Sequence, residues 1–190
     1  MTDPRPVLLA MDFQHGIVER LGDDAVLAGA RKAVEAARAA SIPVVWVRVA
    51  FRPGYPEVSA SSSFAGLVGS AGDAMTMDHP ATAIHAALGP REDEPVVVKR
   101  RISAFTGSDL AVVLRAARAD TLVLAGISTS GVVLSTLRQA ADLDYRLVVL
   151  SDACADREAE VHRVLLEKVF PRQAEVTTVA DWAGTLTTAP

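Results

Sequence analysis

The chain carries one cysteine, Cys154, in 190 residues. A single thiol cannot build an intrachain disulfide framework, so stability must come from packing, and a reducing compartment is expected. Aromatic residues are scarce, at 5%. Burial therefore falls to Ala, Val and Leu, a composition suited to close packing of helices on a sheet. Basic residues do not cluster: the longest run is Lys99-Arg100-Arg101, and the net charge is −4. A mildly acidic chain without a basic stripe lacks the electrostatic footprint of a nucleic-acid binder. No apolar run is long enough to cross a bilayer, and the N-terminal run is broken by Asp12 before it reaches the length of a secretion signal. The expectation is a cytoplasmic protein with neither nucleic acid nor membrane as partner.

Half of the residues are hydrophobic, enough for a sizeable core, and the length suits one domain over residues 1–190. Short apolar runs alternate with amphipathic stretches. Strands are expected at Val7–Met11, Val44–Val49, Pro95–Val98, Thr121–Ala125, Arg146–Leu150 and Ala174–Val179. Helices are expected at Ala25–Ala40, Asp109–Ala119 (capped by Ser108), Val132–Leu143, Arg157–Val169 (stopped by Pro171) and Asp181–Leu186. Near-continuous apolar strands separated by helices indicate a mostly parallel sheet of about six strands, covered on both faces. The fold class is a three-layer α/β/α sandwich.

One segment breaks this rhythm. Residues 51–78 are rich in Pro, Gly, Ser and Ala. A loop of that length inside a compact domain is either a lid over a binding site or an insertion without a role.

Open parallel sheets bind ligands at the carboxyl ends of their strands, where strand order reverses. Strand one ends in Asp12, followed by Gln14; strand three ends in Lys99; strand four runs into Gly126-Ile127-Ser128-Thr129-Ser130-Gly131, which leads into a helix. A carboxylate and an ammonium at short range hold each other charged, and burial raises the stakes. Asp12 can then act as general acid or base, and Lys99 can orient it or bind an anionic group. Free N–H groups near Gly131 and Val132 favour an anion or a developing oxyanion. Each residue also has a plainer reading: Asp12 as a turn former, Lys99 as a solvated strand end.

Three stretches carry a resemblance. LLAMDFQHGIV (8–18), PVVVKRRISAFTGSDL (95–110) and the segment from Asp120 to Asp156 are similar, in order and spacing, to the motifs of the isochorismatase-like hydrolases. The resemblance implies a Rossmann-like sandwich, a site built on Asp12 and Lys99, substrate or oxyanion contacts from Gln14, Ile127, Ser128, Gly131 and Phe105, and a cis peptide near Ile127-Ser128. It implies a small-molecule substrate, no cofactor, and a homodimer or higher homo-oligomer. Most of that family uses a cysteine nucleophile in a pattern like G-x-x-T-x-x-C-V. Here Val132 stands at that position. Valine cannot form a thioester, so amidase chemistry is placed in doubt. Isochorismatases proper also dispense with the thiol. They hydrolyse a vinyl ether, a reaction that needs an acid rather than a nucleophile. Asp12 is the candidate acid. Burial would have to raise its pKa, and Lys99 opposes that shift.

Other groups are weighed against this set. Cys154 is either a structural thiol or a displaced nucleophile. Ser128, Thr129, Ser130 and Ser135 can cap or replace the missing thiol. The histidines, His15, His79, His85 and His162, show no helix-face metal spacing, so no metal is expected. Phe51, Phe64 and Phe105 are pocket walls or core; Trp46 and Trp182 are packing residues. Arg48, Arg52, Arg100 and Arg101 stand near the expected site. Three functions follow: a hydrolase using Asp12 and Lys99 without a covalent intermediate, an inactive binding or assembly protein, or a cysteine hydrolase with a displaced nucleophile.

Overall fold

The computed structural model describes residues 4–187. Six parallel strands form one sheet in the order β3-β2-β1-β4-β5-β6. They are β1 (Pro6–Met11), β2 (Val44–Val49), β3 (Val96–Lys99), β4 (Thr121–Ile127), β5 (Arg146–Ala155) and β6 (Glu175–Thr177). The helices are α1 (His15–Leu21), α2 (Asp24–Ala39), α3 (Ala65–Ala71), α4 (Leu110–Ala116), α5 (Leu134–Asp142), α6 (Ala159–Val164) and α7 (Val179–Thr187). The chain winds outward from β1 to β3, then returns to β4 beside β1 and winds the other way. Strand order thus reverses between β1 and β4, the place where such sheets open a crevice.

Successive side chains of β1 point to opposite faces, as strand geometry requires. Leu9 and Met11 join one buried cluster with Val47, Leu124 and Leu137. Leu8 and Ala10 join another with Trp46, Val123 and the α2 residues Ala30, Ala33 and Ala37. Both faces are covered, which is why the strands read as unbroken apolar runs. Trp46 is fully buried, and its indole N–H finds Glu94 at 2.7 Å. None of the helices among the described residues is long and apolar enough to cross a membrane.

The boundaries differ from expectation in informative ways. β5 continues to Ala155 instead of ending at Leu150, because its pairing with β4 shifts register between Leu124 and Gly126 and then resumes. The expected helix from Val132 begins as a wide turn over Thr129–Val133 and becomes α-helical at Leu134. The helix expected over Arg157–Val169 is α-helical only to Val164, then widens, and Pro171 sits inside a closing tight turn. The helix expected from Asp109 ends at Ala116, and the Ser108 hydroxyl accepts from Leu110 N–H at 3.3 Å.

Residues 51–78 are an organised loop. Its ends are clasped: Phe51 N–H donates to Met75 O and Met77 N–H to Phe51 O, each at 2.9 Å. Arg52 and Arg100 converge on Glu57 Oε1 at 2.7 and 3.3 Å, and Arg101 donates to the Glu57 carbonyl. Arg48 donates to Met77 O at 3.1 Å. The arginines expected near the site therefore anchor the loop. Within it, α3 lies over the sheet crevice.

Gly29 lets α2 sit directly on β5: a Cβ there would stand 2.0 Å from Asp152 O. Gly29→Ala is expected to destabilise by at least ~3 kcal/mol, the upper end of overpacking costs, since the obstacle is backbone. Gly66→Ala in α3, which meets nothing within 4 Å, should be neutral or stabilising by up to about 1 kcal/mol. Urea denaturation of both variants checks the contrast, and equal effects would contradict it.

Candidate functional site

The crevice at the strand-order reversal holds a cavity of about 550 Å³. Its floor is made by strand ends. Asp12 follows β1 with φ 59°, a left-handed conformation that Asp tolerates better than most residues. Its backbone N–H is fixed to Val47 O at 2.8 Å. Lys99 closes β3, two strands away, a separation of about 10 Å. Its long side chain crosses under the end of β2, and Nζ meets Asp12 Oδ2 at 2.8 Å, with the two side chains only 2% and 7% exposed. Lys99 Nζ also donates to Arg101 O at 3.1 Å.

The other carboxyl oxygen, Asp12 Oδ1, is buried and has no hydrogen-bond partner among the described residues. Burial raises the Asp12 pKa above its ordinary value, and the charge of Lys99 and its hydrogen bond pull the other way without cancelling it. Because the folded value exceeds the unfolded one, this carboxyl's contribution to stability is lost as pH rises from 3.8 through the folded pKa.

The far wall comes from β4 and the turn after it. The Ile127–Ser128 peptide is cis. A Cβ at Gly131 would lie 2.7 Å from Ser128 Oγ, so glycine is what lets the turn close on that hydroxyl. Val132 is buried and presents a branched alkyl group to the cavity. Thr129 lies beneath this turn, where His162 Nδ1 from α6 meets its Oγ1 at 2.8 Å; burial lowers the His162 pKa.

Of the residues picked out from the sequence, Asp12, Gln14, Lys99, Ile127, Ser128, Gly131 and Val132 all line this one cavity. Gln14 does so as a clamp. Its amide donates to Val49 O and Thr82 O, and its Oε1 accepts from Val49 N–H, leaving little for a ligand. Phe105 departs from expectation. It packs in the core beside Tyr145, with ring centroids 6.2 Å apart, and does not line the cavity. The loop containing residues 100–109 curls back over α5, where Ala104 N–H is caught by Thr136 Oγ1, and this takes Phe105 inward. Phe51 is core as well, whereas Phe64 lines the cavity.

Cys154 lies outside this cavity, buried on β5 opposite Gly126. Burial pushes its thiol up to about 12, far from thiolate chemistry at neutral pH. A displaced nucleophile at Cys154 has no geometric support. Among the described residues no group of three His, Cys, Asp or Glu is arranged to hold a metal ion.

The sequence reading missed the α1 contribution (Gly16, Ile17, Arg20) and, within the loop expected over residues 51–78, the helix α3 that brings Leu67, Ser70 and Ala71 to the cavity. The apolar spacing of Ile17, Val18 and Leu21 was the available signal for α1. Nothing local distinguishes the lid helix, whose sequence AGLVGSA contains two glycines.

A family model described as the isochorismatase domain matches residues 6–181. This chain belongs to the isochorismatase family. It is 35% identical over 178 residues to the isochorismatase family protein YecD of Escherichia coli O157:H7, covering 92% of each chain. It is 32% identical to the ureidoacrylate amidohydrolase RutB of Methylobacterium radiotolerans, covering 94% of this chain and 78% of that protein. A solved isochorismatase family protein from Burkholderia thailandensis superposes with a TM-score of 0.84 at 30% identity, covering 99% of this chain and 98% of that one.

The buried pair yields a stability test. Lys99→Met strands a carboxyl in a site that cannot solvate it, and breaking such a pair costs roughly 3–5 kcal/mol. The loss is expected above the folded Asp12 pKa and should shrink as pH falls through it. Adding Asp12→Asn, which keeps a residue tolerant of the left-handed backbone, should recover most of the loss. Urea denaturation of the single and double variants tests the coupling. Losses that simply add would contradict it.

Proposed function

We propose that this isochorismatase-family protein is a hydrolase that acts on a small molecule by non-covalent acid/base chemistry, with Asp12 as the acid and Lys99 as its orienting partner. One observation carries the reading: Asp12 lines the cavity, Lys99 grips one of its carboxyl oxygens, and the other is buried without a hydrogen-bond partner among the described residues. A carboxyl held in that way, with a pKa raised by burial, can present a proton to a bound molecule. Val132, at the position of the family thiol, offers no nucleophile and keeps the wall beside the acid apolar.

The reaction most compatible with this set is hydrolysis of a vinyl ether, as in isochorismate. The Asp12 proton moves to the terminal vinyl carbon, leaving an oxocarbenium ion. Water adds at the oxocarbenium carbon and returns a proton to the Asp12 carboxylate. The resulting hemiketal collapses, its C–O bond breaks, and an alcohol and a keto acid leave. Ile127, Ser128 and Gly131 line the same cavity as Asp12, which supports a role for this segment in holding the substrate oxygen beside the acid. Amide hydrolysis is named for several relatives, among them RutB, a maleamate amidohydrolase and an N-carbamoylsarcosine amidase, but a thioester route has no thiol in this cavity. A second reading is favoured by the same Val132: a protein that binds a small molecule at this cavity and does not turn it over.

The test is release of pyruvate from isochorismate and from a simple 2-alkoxyacrylate, read by coupled NADH oxidation. Turnover is expected in the native protein. It should fall by roughly 10²–10⁴-fold in Asp12→Asn. Since the acid form is the active one, the rate should decline as pH rises through the raised Asp12 pKa. Release that Asp12→Asn leaves intact would overturn the assignment of the acid. No release from either ether would leave the binding reading.

A further inference from the structure

The cavity has a chemically distinct mouth. Gly16, Ile17 and Arg20 of α1 lie one helical turn apart, on the face that lines it. Arg20 is exposed, and among the described residues it forms no ion pair and no side-chain hydrogen bond. The arginines around the loop differ: Arg48, Arg52, Arg100 and Arg101 are all bound to carbonyls or to Glu57. Asp12 is the sole carboxylate in the lining, and Lys99 already holds it at the floor. The guanidinium of Arg20 is therefore an uncompensated positive charge at the entrance.

Between that charge and the floor, the walls are apolar: Ile17, Phe64, Leu67, Met75 and Ile102. Two of these, Leu67 at 38% and Ile102 at 40%, are among the few large hydrophobic side chains that the protein leaves exposed. Exposed apolar side chains beside a concave site mark a surface that a ligand covers. Arg20 sits in the last turn of α1, where a cation also complements the helix dipole. That service needs no cavity and does not account for the apolar band beneath it.

We infer that Arg20 is a specificity-determining residue that binds the carboxylate of an amphiphilic organic acid, whose apolar body fills the cavity and whose reacting group reaches Asp12. A single guanidinium fork matches a carboxylate bidentately, whereas a phosphate dianion calls for further donors. The inference rests on the proposed function only in taking this cavity as the substrate site.

Binding, measured apart from turnover, tests it. Isothermal titration of 3-phenylpropanoate and of its neutral isostere 3-phenylpropanamide is carried out on the native protein, Arg20→Gln and Arg20→Lys. The native protein is expected to bind the acid at least ~10-fold more tightly than the amide, a difference of about 1.4 kcal/mol. Arg20→Gln should erase that preference by weakening the acid alone, and Arg20→Lys should retain part of it. Leu67→Ser should weaken both ligands alike. Equal affinity for acid and amide in the native protein, a preference that survives in Arg20→Gln, or binding of neither compound would each overturn the inference. Because no bond is broken in this assay, its outcome is independent of whether vinyl ethers are hydrolysed.

Discussion

A carboxyl and an ammonium share an almost wholly buried site, and the fold is arranged so that they meet there. Asp12 and Lys99 leave the sheet on strands that are not neighbours, with β2 between them. Their 2.8 Å contact therefore requires that β1, β2 and β3 hold register and that the segment after Lys99 turn back to offer Arg101 O as a second acceptor. A pair buried in this way is weak evidence for stability, since desolvation offsets most of the attraction. The pair fixes one Asp12 oxygen on Lys99 and leaves the other without a hydrogen-bond partner among the described residues.

The rest of the molecule follows from protecting that arrangement. The small residues of α2 bring the helix onto the sheet, and the clasped loop over residues 51–78 carries α3 across the crevice. Glu57 joins the loop to the strand-three exit through Arg100 and Arg101, the residues that follow Lys99 in sequence. The lid and the floor are thus mechanically connected. Gln14, two residues from Asp12, spends its amide tying the ends of β1 and β2 to Thr82, so Asp12 sits on a firmly bonded base. Preorganisation of this kind is what the proposed acid role requires, because a carboxyl already held in place need not reorganise as charge develops.

Much of this was legible in the sequence, for identifiable reasons. The unbroken apolar strands indicate a parallel sheet with both faces covered, and the strand-end rule points to Asp12, Lys99 and the Gly126–Gly131 turn. Phe105 reads from the sequence as either pocket wall or core, and its inward path depends on a hydrogen bond from Ala104 to Thr136, 32 residues away. Arg48, Arg52, Arg100 and Arg101 lie near the site in sequence terms, but three of them are drawn to Glu57, a long-range pairing with no local signature. Arg20 is hard to place from sequence because α1 is only seven residues long, and the spacing of Ile17, Val18 and Leu21 is its one local signal. Val132 could be read only against the family pattern; nothing in its own neighbourhood marks it as the place of a missing thiol.

The most direct measurement is the titration of Asp12 itself, followed by the carbon-13 resonance of its side-chain carboxyl in the native protein and in Lys99→Met. A midpoint above the ordinary 3.8 is expected in the native protein, with a further rise when the ammonium is removed. A midpoint at or below 3.8 would mean that Lys99 outweighs burial, and that Asp12 cannot be the proton donor.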